Sequence, residues 1–281
     1  MRITVLIDNT ASETDPSLAS ELGLSLHLSH RGRTILFDCG ASAAFAANAE
    51  ALHISLEAVD AAVLSHHHYD HGGGARHFFE VNNTAPLFLG EAPAGHCYSL
   101  KEDQSWKYVG LDAALLEEGR ARLRWISGNK EIFPGVYLLP AASRKYPLPA
   151  GNRSLYLKGP GQPIHDPFGH ELLMVVEEGG LVVFTGCAHC GLLNLLDTVS
   201  QHFPKKPISA LIGGLHLTAD QSSGRMLENE AEVRALAQAV LEYPVAMIHT
   251  GHCTCAQAYA HLQTFLSDKI APLYSGAVIE V

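Results

Sequence analysis

Ser65-His66-His67-His68-Tyr69-Asp70-His71-Gly72-Gly73-Gly74 follows directly on the apolar run 59–64, so four imidazoles and a carboxylate fall within six residues at the end of a segment that reads as a buried strand. Neutral imidazole and carboxylate are ligands for borderline divalent cations such as zinc, manganese, iron and nickel, whereas magnesium and calcium sites are built from oxygen. Side chains alternate along a strand, which points His66 and His68 the same way. Asp70 and His71 come where the chain turns. One short segment can therefore serve two adjacent metals, His66 and His68 for one, Asp70 and His71 for the other. An expression tag would sit at a terminus beside a linker; this run is internal and carries an acidic residue at a ligand-like offset.

Outward from this motif, the chain reads as one architectural sentence written twice. In the first half, residues 23–30 and 33–37 form a hairpin turning at Arg31-Gly32, Asp38-Cys39-Gly40 ends a strand, 41–52 is an alanine-rich helix and 59–64 is the strand that delivers the histidines. In the second, 171–176 and 181–185 form a hairpin around Glu178-Gly179-Gly180, Gly186-Cys187 ends that strand, 191–203 is a helix and 208–212 is a strand ending in Gly213-Gly214-Leu215-His216. Helix 227–243, strand 245–249 and helix 256–266 complete the pattern. Two such halves stack as two sheets with helices outside, a four-layer αββα sandwich of the α/β class, within a single domain over residues 1–281. Residues 90–166 are expected to be less regular and to form a lid or substrate wall, with Lys107 and Tyr108 as substrate-facing candidates.

Composition sets the outer limits. With 281 residues, 47% hydrophobic and 17% charged, the chain is long enough for a large core and suited to sheets covered on both faces. A formal net charge of -10 makes nucleic acid a poor partner, since phosphate binding needs a basic surface. No apolar run approaches the roughly 18 residues that span a bilayer. The opening Met1-Arg2-Ile3-Thr4-Val5-Leu6-Ile7-Asp8 alternates like a strand and lacks a signal peptide's cleavage region, so a cytoplasmic location and a small-molecule substrate are expected. Six cysteines in such a chain read as thiols or metal ligands, not as a disulfide framework.

Three further segments end strands in ligand-type residues: Gly186-Cys187-Ala188-His189-Cys190-Gly191, Gly213-Gly214-Leu215-His216-Leu217 and His249-Thr250-Gly251-His252-Cys253-Thr254-Cys255. Sheets that present strand ends on one rim bring such loops together. A first metal can take His66, His68 and His189, and a second Asp70, His71 and His252, with Cys187 as an additional thiolate. His216 stands, by the internal repeat, where His66 stands in the first half, and reads as a substrate-facing catalytic imidazole. A separate structural zinc held by Cys187, Cys190, Cys253 and Cys255 competes for the cysteine-bearing segments.

Leu36-Phe37-Asp38-Cys39-Gly40, the His66-x-His68-x-Asp70-His71 motif, Phe184-Thr185-Gly186-Cys187 and Gly251-His252, in this order, resemble the metallo-β-lactamase superfamily over nearly the whole chain. Gly23-Leu24-Ser25-Leu26, Gly186-Cys187-Ala188-His189, Gly213-Gly214-Leu215-His216-Leu217 and His252-Cys253-Thr254 are similar to its branch around the dihydropterin–aminobenzene ribofuranosyl phosphate synthase of methanopterin biosynthesis. The resemblance implies His66, His68, Asp70 and His71 as ligands and His252 as the late ligand. Cys187 falls where many relatives have a bridging aspartate and some a zinc-ligating cysteine. For the third ligand of the first metal, His165 and His170 are alternatives to His189, because they precede the hairpin where many relatives carry a histidine.

The chemistry expected is hydrolysis by a metal-activated water of a small-molecule ester, amide, thioester or phosphoester, with zinc as the first choice of cation, one or two per chain, and Asp70 both binding metal and positioning the nucleophile. The branch resemblance implies a second possibility, a pterin-type transferase whose metals hold a pyrophosphate leaving group. A catalytically silent metal sensor is a third. Asp38, at the neighbouring strand end, is a candidate partner for a ligating imidazole or, alternatively, a cap for the following helix.

Overall fold

A computed structural model describes residues 1–218 and 224–281. Two seven-stranded sheets carry the chain. The first runs in the order Val278–Glu280, Arg2–Ile7, Ser25–His30, Arg33–Phe37, Ala61–Val63, Leu87–Gly90, Leu123–Ile126. The second runs Lys130–Phe133, Val136–Pro140, Leu172–Glu177, Leu181–Phe184, Ile208–Ile212, Ile248–Thr250, Ile270–Pro272. In each, the first three junctions are antiparallel and the last three parallel. The repeat legible in the sequence is thus a repeat of topology. It makes Arg33–Phe37 the counterpart of Leu181–Phe184, and Ala61–Val63 the counterpart of Ile208–Ile212.

Period-two alternation divides each strand between layers. Ile35, Phe37, Ala61 and Val63 face Val182, Phe184, Ala210 and Ile212 in the core between the sheets. Leu36, Ala62 and Leu64 turn outward to Phe45 and Ala49 of helix Ala44–Ala51 and Ala75 and Phe78 of helix Ala75–Val81. Leu181, Val183 and Leu211 turn the other way, against helices Leu192–His202, Glu230–Leu241 and Ala256–Leu266. The result is the αββα sandwich. Among the described residues no helix is long and apolar enough to cross a membrane.

Residues 90–166 carry more strand than their sequence suggests: they supply Leu123–Ile126, Lys130–Phe133 and Val136–Pro140 to the two main sheets, and His96–Leu100, Trp106–Tyr108, Leu155–Lys158 and Ile164–His165 to a third, four-stranded sheet. These strands are short and several are exposed, so their apolar signal is weak. Smaller shifts affect helix ends: 41–52 begins at Ala44, and 227–243 begins at Glu230, where Asn229 and Glu232 form a reciprocal capping box. Strand 245–249 becomes Ile248–Thr250, with Val245 reduced to an isolated bridge to Ile208.

Candidate metal centre

The parallel strands of both sheets end on one rim, and there the ligand-bearing loops meet. After Ala61–Val63 the chain passes through Ser65, His66 and His67 to His68, which stands at the N-terminal boundary of the helical turn Tyr69–Gly72. That turn places Asp70 and His71 beside Cys187 and His252, four buried ligand atoms all within 4.8 Å of one another. His71 Nε2 lies 3.1 Å from Cys187 Sγ and 3.0 Å from His252 Nε2. Cys187 Sγ lies 3.3 Å from His252 Nε2, and Asp70 Oδ2 lies 3.6 Å from the same nitrogen.

Beside this group sits a triangle of imidazoles. Ring centroids of His66, His68 and His189 are 4.5, 4.8 and 4.9 Å apart. The Nε2 atoms of all three are buried and have no hydrogen-bond partner. An unmet buried nitrogen costs about 1–3 kcal/mol, and three in one place are what a cation would satisfy. Ligand atoms of His66, His189 and Cys187 share one 4.8 Å neighbourhood. His68 also has a ring nitrogen within 4.8 Å of Cys97 and Asp166, so it is the corner of the triangle that adjoins that polar group. By donor chemistry and by these orphaned nitrogens, the residues fit one or two divalent cations of borderline hardness.

Four of the inward-facing rings are fixed from behind. His71 Nδ1 is 2.6 Å from Asp38 Oδ2, His66 Nδ1 is 2.9 Å from Ser65 Oγ, His189 Nδ1 is 3.0 Å from Asn152 Oδ1 and His252 Nδ1 is 3.0 Å from Asn9 Oδ1. Such contacts set the tautomer, leaving Nε2 for the metal. Asp38 also accepts the Ser65 amide and hydroxyl, both at 2.7 Å. It caps no helix. Burial opposes a charge on His71, but the Asp38 and Asp70 carboxylates outweigh it and raise the imidazole to about 9. In His66 and His189, burial and the neighbouring imidazoles push the value down, so both are neutral and ready to coordinate.

Sequence reasoning missed several of these supports. Glu171, fully buried, accepts the amides of His189 and Cys190 at 2.7 Å each, and burial pushes its carboxyl up. Asp8 accepts the His252 amide at 3.0 Å, and burial raises it to about 7 despite these hydrogen bonds. Asp8 had a usable signal, an acidic residue closing an apolar strand as Asp38 does. Asn9 and Asn152 had none.

The other candidates fall as follows. His216 packs its ring 4.1 Å from His189 and lines, with His68, Asp70 and His189, a cavity of about 340 Å³. Lys107 also lines the cavity, its Nζ 3.1 Å from the Tyr69 hydroxyl, as does Lys101 just after strand His96–Leu100. Tyr108 is not among the lining residues, and its hydroxyl donates to the Leu111 carbonyl. His165 is exposed and stacks on Tyr156, while His170 is buried with Nε2 3.1 Å from Asp166 and Nδ1 accepting the His67 amide. The four cysteines proposed for a structural zinc are not gathered: Cys190 Sγ donates to the Phe168 carbonyl at 3.4 Å, Cys255 is partly exposed at a helix start, and only Cys187 and Cys253 share a ligand group among the described residues.

Known proteins resemble this chain along its whole length. The 7,8-dihydropterin-6-methyl-4-(β-D-ribofuranosyl)-aminobenzene-5'-phosphate synthase of Methanocaldococcus jannaschii is 26% identical over 294 aligned residues, covering 100% of this chain and 96% of the relative. The crystal structure of Tm1679, a metal-dependent hydrolase of the β-lactamase superfamily, superposes with a TM-score of 0.82 at 28% identity, covering 100% and 99% of the two chains. The metallo-β-lactamase fold protein YhfI of Bacillus subtilis, 16% identical with a TM-score of 0.57 and coverage of 100% and 99%, shares the fold. The model of the metallo-β-lactamase superfamily matches residues 23–252. With both halves of the sandwich bringing ligand-type residues to one rim, and that match spanning most of its length, the chain belongs to the metallo-β-lactamase superfamily.

Proposed function

We propose that the protein is a cytoplasmic metal-dependent hydrolase acting on a small, anionic ester, amide, thioester or phosphoester. One observation carries the reading: the unpartnered Nε2 atoms of His68 and His189, together with Asp70, sit at the wall of a cavity of about 340 Å³ that is large enough for a metabolite. Divalent cations held by His66, His68 and His189, and by Asp70, His71, Cys187 and His252, supply Lewis acidity and acidified water when bound. Zinc suits this nitrogen- and sulfur-containing set best, and the thiolate of Cys187 favours it over harder ions.

The chain's own residues do the rest. Asp70 faces the cavity as an acceptor that orients the nucleophile's proton. His216, with both ring nitrogens unpartnered, is placed to hold or pass a proton on the substrate side. Lys107 on the small sheet and Lys101 just after strand His96–Leu100 give the opposite wall positive charge, which selects substrates carrying a carboxylate or phosphate. The 26% identity to the M. jannaschii synthase favours a second reading, group transfer with a pyrophosphate leaving group held at the same centre. Replacing His68 or Asp70 with alanine is expected to abolish turnover together with the metal held at that residue's own position, while leaving the fold intact. Parallel assays on phosphodiester, lactone and thioester panels and on the pterin pair separate the two readings by the product released. Full turnover in Asp70→Ala would rule out both.

A further inference from the structure

Cys187 stands at the meeting of three ligand groups, and one of them belongs to neither position described above. Its sulfur, a His216 ring nitrogen and the Cys253 sulfur lie within 4.8 Å of one another, all buried. His216 is only 5% exposed, yet neither of its ring nitrogens has a partner. A histidine kept for packing would bond its N–H to a carbonyl, as His67 does to Gly90. Here the nearest candidates are sulfurs. The backbone fixes the arrangement: the His216 amide donates to Cys253 Sγ at 3.2 Å, and Cys253 Sγ lies 3.5 Å from the Cys187 carbonyl. Gly214 makes room, since a Cβ there would come within 2.4 Å of Cys253 Sγ.

We propose that Cys187, Cys253 and His216 form an additional binding position for a soft or borderline cation, with Cys187 shared between it and the group of Asp70, His71 and His252. Two sulfurs and one imidazole with no carboxylate among them exclude magnesium, calcium and manganese and suit zinc, cadmium or copper(I). The position does not depend on which reaction the protein catalyses. Its ligands come from the second half of the chain alone, on the loops that follow Leu181–Phe184, Ile208–Ile212 and Ile248–Thr250.

The test uses the full chain, reduced, stripped with chelator and titrated with cadmium, read by native mass spectrometry and by sulfur-to-metal charge-transfer absorption. Wild type is expected to bind one equivalent more than Cys253→Ser and one more than His216→Ala, with the absorption in Cys253→Ser falling to about half as one of two thiolates is lost. Far-UV circular dichroism establishes that each variant is folded. Equal stoichiometry and undiminished absorption in folded Cys253→Ser and His216→Ala overturn the proposal. Asp70→Ala separates it from the hydrolase reading: persistence of the Cys253-dependent equivalent there supports a distinct position, whatever happens to turnover, and its loss from the folded variant overturns that claim.

Discussion

Replacing Asp38 by asparagine should disable the far nitrogen of His71, which Asp38 holds from behind. Asp38 is fully buried, with Oδ1 accepting the Ser65 amide at 2.7 Å and Oδ2 facing the Ser65 hydroxyl at 2.7 Å and His71 Nδ1 at 2.6 Å. The Ser65 amide cannot move its proton, so the asparagine oxygen stays there and the NH₂ group turns to His71. Nδ1 must then accept, and the ring proton moves to Nε2, the nitrogen that points at Cys187 and His252. That nitrogen can no longer coordinate without losing its proton. Removing an outer-shell partner of this kind costs about 10–100-fold in metal affinity, or about 1.4–2.7 kcal/mol. Competition titration against a chromophoric chelator reads the loss. The variant should retain its secondary structure, because the side chain keeps its size and its Ser65 amide contact. Asp38→Ala should lose stability as well, since Asp38 holds a left-handed φ of +59° that asparagine tolerates and alanine resists. The pH dependence follows from the same contact. In metal-free protein His71 is raised to about 9, above its ordinary value, so its proton contributes stability that is complete below about pH 6.5 and lost as pH climbs through 9, on the order of 3 kcal/mol. Metal competes with that proton and binds more tightly over the same rise. Asp38→Asn should flatten both slopes. An Asp38→Asn protein with wild-type metal affinity and an unchanged pH slope would refute this reasoning.

Gly186→Ala should displace His66: a Cβ there meets Ser65 Oγ at 2.0 Å and His66 Nδ1 at 3.1 Å, and the overpacking should lower stability by about 1–3 kcal/mol in thermal unfolding and weaken metal binding. Lys107→Ala should raise KM for anionic substrates several-fold while leaving kcat on neutral esters near wild type, and an equal effect on both would remove Lys107 from substrate recognition. Chelation should leave far-UV circular dichroism unchanged and lower the melting temperature, because the cores between and outside the sheets contain none of the histidine or carboxylate ligands. Loss of secondary structure on chelation would instead mark the metal as a folding element.

How much of this was legible depended on whether a residue's role is local. Residues 33–37 and 59–64 announce strands by apolar run and the histidine cluster by position, so both halves of the sandwich and the ligand-type residues that gather at its rim could be read from spacing. Leu123–Ile126 could not, because Arg124 and Trp125 are both exposed and the strand shows neither an apolar run nor a clean alternation. Asn152 meets His189 across 37 residues and Asn9 meets His252 across 243, and no periodicity encodes such pairs. Tyr108 was singled out for its chemistry, but along Trp106–Tyr108 alternation gives the cavity to Lys107 between them. Residues 90–166 were hard to read for a related reason: three of their strands sit at the edges of the two main sheets or next to an edge, and two of these pair with strands outside the segment, Leu87–Gly90 and Leu172–Glu177, that no local spacing announces.

Strain links the topology to the chemistry. Asp38, Ala188, His216 and His252 all have left-handed backbones, with φ between +51° and +59°, and all lie just beyond the parallel strands. A non-glycine residue in that region costs about 1–2 kcal/mol, so four of them in one rim need compensation. Each of the three polar ones has it at the amide: Asp38 donates to the Val63 carbonyl at 2.8 Å, His216 to Cys253 Sγ at 3.2 Å and His252 to Asp8 Oδ2 at 3.0 Å. The sharp turn is what aims the side chain back across the strand end instead of onward into the loop. Because the same turn occurs in both topological halves, at Asp38 after one strand and at His216 after its counterpart's neighbour, the two sheets deliver side chains toward one point from opposite sides. The ligand geometry is therefore held by backbone hydrogen bonds formed on folding, before any cation arrives, and the energy a cation gains from the waiting nitrogens is not spent on building the loops.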